Sequence, residues 1–122
     1  MRTILTVDDS PSMRQMVRAT LESAGYGVVE AADGQEALEF ARKENVDLVI
    51  CDVNMPRMDG ITLVRELRTL RGYRLTPLLL LTTESSQDKK SEGKRAGATG
   101  WIVKPFNPTQ LLATLDRLLS AA

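Results

Sequence analysis

Short apolar runs alternate with longer amphipathic segments from one end of the chain to the other. The runs that read as strands cover 3–8, 26–31, 46–52, 77–82 and 99–103. Two of them, around Leu48-Val49-Ile50 and Leu78-Leu79-Leu80-Leu81, contain unbroken apolar stretches of the kind found in strands buried on both faces. Between and after the strands, helical periodicity predicts helices at about 11–24, 34–44, 60–71, 86–96 and 108–120. Strands separated by helices imply βα units, hence an α/β fold with a five-stranded parallel sheet. Right-handed crossovers would then place the five helices on both of its faces.

Local punctuation agrees with these boundaries. Ser10-Pro11 and Asn107-Pro108 each place an N-cap before a proline at the first helical position. Asp33 and Glu36 have capping-box spacing, and Asp59-Gly60 opens the third helix in a similar way. Gly25, Gly72 and Gly97 fall near expected helix C-termini, where a left-handed cap suits glycine. Gly93, inside the fourth helix, costs about 1 kcal/mol relative to alanine, so that helix is expected to be the weakest. Leu111, Leu112, Leu115, Leu118 and Leu119 form a wide stripe that should pack on the sheet. The five units occupy all 122 residues, so a single domain over 1–122 without an output domain is expected.

Composition removes several function classes. Sixteen basic residues balance sixteen acidic ones, so no strong field draws nucleic acid or an anionic membrane. No run approaches the roughly 20 apolar residues that span a bilayer, and a soluble, cytoplasmic monomer is expected. Cys51 is the only cysteine, which excludes disulfides and cysteine metal sites and leaves it as a small buried hydrophobe. The chain has no histidine, so Ser–His and Cys–His catalysis and a phosphohistidine on this chain are excluded.

What chemistry remains gathers at the strand ends. Ligands of open parallel α/β sheets bind at the carboxyl ends of strands, near the point where strand order reverses. Asp8 and Asp9 follow the first strand, Asp52 ends the third, Thr82-Thr83 end the fourth and Lys104 follows the fifth. A lone aspartate there is more often a helix cap, and a lone lysine a solvated charge. Six such residues on one edge of one sheet point elsewhere. Three carboxylates at one place repel and call for a cation, and hard oxygen ligands suit Mg2+. Lys104 can pair with Asp52 or with an added anion, and Thr82 offers a hydroxyl. Acid, Mg2+, lysine and hydroxyl make a phosphoryl-transfer site, with Asp52 as the nucleophile that accepts the phosphoryl group.

Four motifs carry a resemblance along essentially the whole chain: Val7-Asp8-Asp9-Ser10; Cys51-Asp52-Val53-Asn54-Met55-Pro56 with Met58-Asp59-Gly60; Leu81-Thr82-Thr83-Glu84; and Trp101-Ile102-Val103-Lys104-Pro105-Phe106. On these the chain resembles the receiver domain of two-component response regulators, of the stand-alone, CheY-like chemotaxis type. The resemblance implies a flavodoxin-like sheet of order 2-1-3-4-5, for which CheY is itself a type example. It implies that Asp52 is the phosphoacceptor, charged by a histidine kinase. Asp9 and Asp52 would be direct Mg2+ ligands, Asp8 a ligand through water and Asn54 a ligand through its backbone carbonyl. Thr82 would be the switch hydroxyl, Lys104 the phosphoryl contact, and the Lys104–Pro105 bond cis. Trp101 stands where Tyr or Phe is more usual for the aromatic switch, and Asn54 and Glu84 would tune dephosphorylation. Output would pass through the fourth helix, fifth strand and fifth helix to a protein target, a flagellar motor switch or another.

Three other readings compete. A haloacid-dehalogenase-type phosphatase also starts from a strand-end aspartate, but needs a second acid where Asn54 stands and a cap for which the chain is short. A degenerate receiver kept only for protein contacts fits poorly with the intact Asp52, Thr82 and Lys104 set. A phosphate sink or kinase modulator shares all the chemistry, and no motif separates it from a motor effector.

Overall fold

The computed structural model describes residues 2–83 and 87–120. Strands β1 (Thr3–Val7), β2 (Gly27–Ala31), β3 (Leu48–Asp52), β4 (Leu78–Thr82) and β5 (Gly100–Val103) alternate with helices α1 (Pro11–Ser23), α2 (Gly34–Lys43), α3 (Gly60–Leu67), α4 (Gln87–Ala96) and α5 (Pro108–Ser120). All strand pairs are parallel and the sheet order is β2-β1-β3-β4-β5. The fold is therefore the flavodoxin-like, CheY-like one that the resemblance implies.

The caps explain where helices start. Ser10 Oγ accepts from the Met13 amide, Asp33 from Glu36, Asp59 from Thr62 and Asn107 from Gln110. Gly25 and Gly97 take φ of 90° and 113° after α1 and α4, as left-handed caps require. Gly72 does not. It lies in a short 3-10 helix, Arg71–Tyr73, where a Cβ would stand 2.4 Å from Asn45 Oδ1. The third helix correspondingly ends at Leu67 rather than continuing to 71.

Two cores sandwich the sheet. On one face Val17 and Leu21 of α1 and Leu111, Leu115 and Leu119 of α5 close over Ile4, Leu48, Ile50 and Leu79. On the other, α2, α3 and α4 cover Leu5, Val49, Leu78 and Leu80. The leucine stripe of α5 is thus used for packing, with Leu112 and Leu118 half-buried at its margins. α4 is different. Its buried residues are only Gly93 and Ala96, so it has the smallest apolar anchor of the five helices. No helix among the described residues is long and apolar enough to cross a membrane.

Candidate functional site

The central strands β1 and β3 end side by side, since Val7 pairs with Cys51. Their next residues, Asp8 and Asp52, therefore emerge together at the carboxyl edge, at the switch point of the sheet order. Both are buried, Asp8 at 2% exposure and Asp52 at 6%, while Asp9 is exposed. Carboxylate oxygens of Asp8, Asp9 and Asp52 lie within 4.8 Å of one another. Lys104, just beyond β5, reaches back to them, with Nζ 3.3 Å from Asp52 Oδ1 and 3.4 Å from Asp8 Oδ2.

Each group is held. The Ser10 amide donates to Asp8 Oδ1 at 2.9 Å, leaving Oδ2 for Lys104. The Lys104 amide donates to the Thr82 carbonyl at 2.7 Å, and the following Lys104–Pro105 bond is cis, as the resemblance implies. Thr82 ends β4 fully buried, opposite Val103. Gly60 closes the loop after β3, its amide donating to Val53 O at 2.9 Å. A Cβ there would stand 2.2 Å from the Asp52 carbonyl oxygen, so only glycine permits this approach.

Electrostatics follow from burial. Desolvation and the neighbouring Asp8 charge push the Asp52 carboxyl above the usual aspartate value, and Lys104 only partly opposes them. Ionised, the three acids exceed the one paired lysine by two charges, a deficit that a divalent cation with oxygen ligands fits. Cys51 beside them is inert, since complete burial pushes its thiol well up.

The remaining expected residues are placed as follows. Asn54 is exposed in the loop after β3, and Glu84 lies outside the described residues. Trp101 is half-buried on β5 and packs against the α2–α3–α4 core. Its indole covers Gly93, where a Cβ would meet Cζ3 at 2.9 Å and Leu80 Cδ1 at 2.8 Å. Sequence reasoning took Gly93 as a weakness of α4 and missed that pairing. It also missed Asp33 and Arg57, which form an ion pair between the N-terminus of α2 and the loop after β3.

A doubly wound parallel sheet carrying three carboxylates, a lysine and a threonine at one edge defines a phosphoryl-accepting signalling domain. The chain belongs to the response regulator receiver domain family, whose pattern it matches over residues 4–116. It is similar to the chemotaxis response regulator CheY4 of Vibrio cholerae, with 57% identity over 97% of this chain and 98% of that one, at a TM-score of 0.93. The receiver domain of the sensor histidine kinase PA1611 from Pseudomonas aeruginosa is 31% identical over 98% of both chains, with a TM-score of 0.92. That structure holds a magnesium ion in its active-site cleft. The Bacillus subtilis regulator PhoP of alkaline phosphatase synthesis is 37% identical over 95% of this chain and 48% of its own length. The chain spans about half the length of the curated relatives it matches.

Proposed function

We propose that the chain is a phosphorylation-activated signalling receiver that takes its phosphoryl group from a histidine kinase onto Asp52. The observation that carries this reading is the Lys104 ammonium bridging Asp52 and Asp8 inside the three-carboxylate cluster. An Asp52 oxygen attacks phosphorus as the P–N bond of the kinase phosphohistidine breaks, leaving an acyl phosphate on Asp52 and a free imidazole on the kinase. Asp9, Asp52 and the Asn54 carbonyl would hold Mg2+ directly and Asp8 through water. When bound, Mg2+ neutralises charge on the transferring oxygens. Lys104 then exchanges its contact with the carboxylate for one with the phosphoryl oxygens, and Thr82 donates its hydroxyl to the same group. Return to the resting state is attack of water on phosphorus, releasing phosphate, at a rate Asn54 and Glu84 tune.

Output through α4, β5 and α5 to a protein target, with a role in chemotaxis, is supported by the likeness to CheY4 over nearly the whole of that chain. The test is phosphotransfer from candidate histidine kinases in Mg2+, followed by mass analysis and a pull-down with the phosphorylated chain. A phosphoryl group on Asp52, lost with Asp52→Asn or with chelator, is expected. A phosphorylated chain that captures no motor-switch component would leave the phosphate-sink role and remove the motor one. Modification that survives Asp52→Asn would sink the assignment altogether.

A further inference from the structure

We propose that Asp33 and Arg57 form a latch that positions the loop after β3 for metal binding, although neither residue touches the acidic cluster. Arg57 is the only non-glycine residue with positive φ among those described, at 68°. Around it the Met58 amide donates to the Pro56 carbonyl at 2.8 Å, the pattern of a γ-turn with positive φ, which is rare and strained. Glycine takes such a conformation without strain. Here the residue is an arginine, and its side chain pairs with Asp33.

Asp33 is built to hold it. It is buried, and its Oδ1 accepts from the Glu36 amide at 2.9 Å as the N-cap of α2, which leaves Oδ2 fixed toward Arg57. The cap bond first, then the guanidinium, holds its carboxyl below the usual aspartate value. Next to the pair, Met58 covers Gly34, where a Cβ would stand 2.7 Å from Met58 O. The loop is thus pinned at its base by Gly60 to Val53 O and at its apex by Arg57 to Asp33. Asn54 lies between the two pins. A backbone carbonyl can serve as a metal ligand only if its direction is fixed, and strained backbone persists only where its surroundings over-determine it. The inference rests on the reading of the Asn54 carbonyl as a Mg2+ ligand.

The test is calorimetric titration of the full chain with Mg2+, comparing wild type, Asp33→Asn, Arg57→Gln, the double variant and Arg57→Lys. Asparagine remains a good N-cap, so α2 is kept while the charge is removed. Each single variant should weaken Mg2+ binding by about fivefold, the upper range for an ion pair with one exposed partner. The double variant should lose no more than either single one, and Arg57→Lys should stay within about twofold of wild type by the same reasoning. The unfolding midpoint in chelator should not follow these losses. Unchanged affinities in the variants, additive losses, or losses that track the metal-free midpoint would overturn the latch and leave the acidic site standing. A wild-type chain that binds no Mg2+ would overturn the site and the latch together.

Discussion

Asp52 is held where its own charge is disfavoured, and that has a measurable sign. Burial and the Asp8 charge raise its pKa above the ordinary 3.8. The penalty for ionising it in the folded state is fully present above the folded pKa, shrinks as pH falls through it, and vanishes below the unfolded value. In chelator at neutral pH, Asp52→Asn should therefore be more stable than wild type. The gap should close as pH falls toward 3.8. Added Mg2+ should stabilise wild type more than the variant. Urea unfolding of both chains across that range checks all three, and a destabilised Asp52→Asn at neutral pH would refute the account. Gly93 makes the opposite case, a residue whose propensity argues for replacement and whose contacts forbid it. Alanine would gain about 1 kcal/mol of helix propensity. Its Cβ would overlap Trp101 Cζ3 and Leu80 Cδ1, and overpacking of this kind costs about 1–3 kcal/mol. Gly93→Ala should lower the unfolding midpoint and shift Trp101 emission without any phosphoryl group.

Among the elements, α4 is held at one end. Only Gly93 and Ala96 of its residues are buried, but the carbonyl of Gly97 just after it accepts from Arg68 Nε at 3.0 Å and Nη2 at 2.8 Å. Arg68 Nη1 also donates to Tyr73 O at 2.6 Å and Thr76 O at 2.8 Å, tying the ends of α3 and α4 to the segment before β4. Lysine cannot reproduce this planar fork. Arg68→Lys should destabilise the chain by on the order of 2 kcal/mol, because several carbonyls lose a charged donor. Amide exchange should accelerate first in α4, with α1 and α5 protected. Uniform acceleration across the helices would show that Arg68 supports the whole fold and not this end of α4. The same residues mark what was legible in sequence. Caps such as Ser10 and Asp59 act within three residues, and strand ends of a parallel sheet share an edge, so sequence alone brings Asp8, Asp52 and Lys104 together. Arg68 with Gly97, Asp33 with Arg57, and Trp101 with Gly93 are pairings between segments that only the crossovers bring together. No local spacing announces them. The third helix was read too long because Leu67 and Leu70 keep a helical period through the turn into the 3-10 segment, where Tyr73 is buried and donates to Glu44 O at 2.7 Å.

For the molecule as a whole, the proposed function requires a signal to pass from Asp52 by way of Thr82 to the face that carries Trp101. Inverting a two-state population from 1:99 to 99:1 takes about 5.5 kcal/mol of differential stabilisation. One or two charge-assisted hydrogen bonds from Thr82 and Lys104 supply about 1.5–3 kcal/mol each. The resting state adds a contribution of its own. Trp101 Nε1 is buried and makes no hydrogen bond among the described residues, and an unpaired buried donor costs about 1–3 kcal/mol. A move of the indole that satisfied this N–H would lower what the phosphoryl group must provide, which would offset the bulk of tryptophan at a switch position. These contributions together straddle that threshold and do not clear it securely, so the shift should be graded, with partner binding completing it. Trp101 is the only tryptophan, so its emission reports the change directly. Beryllofluoride with Mg2+ should move the emission of wild type part of the way to a limiting value. Thr82→Ala should bind the same mimic while losing most of the change, if the hydroxyl of this buried residue links the two ends as proposed. An emission unaltered in wild type would mean that Trp101 is fixed, and that the output face is reached by another route.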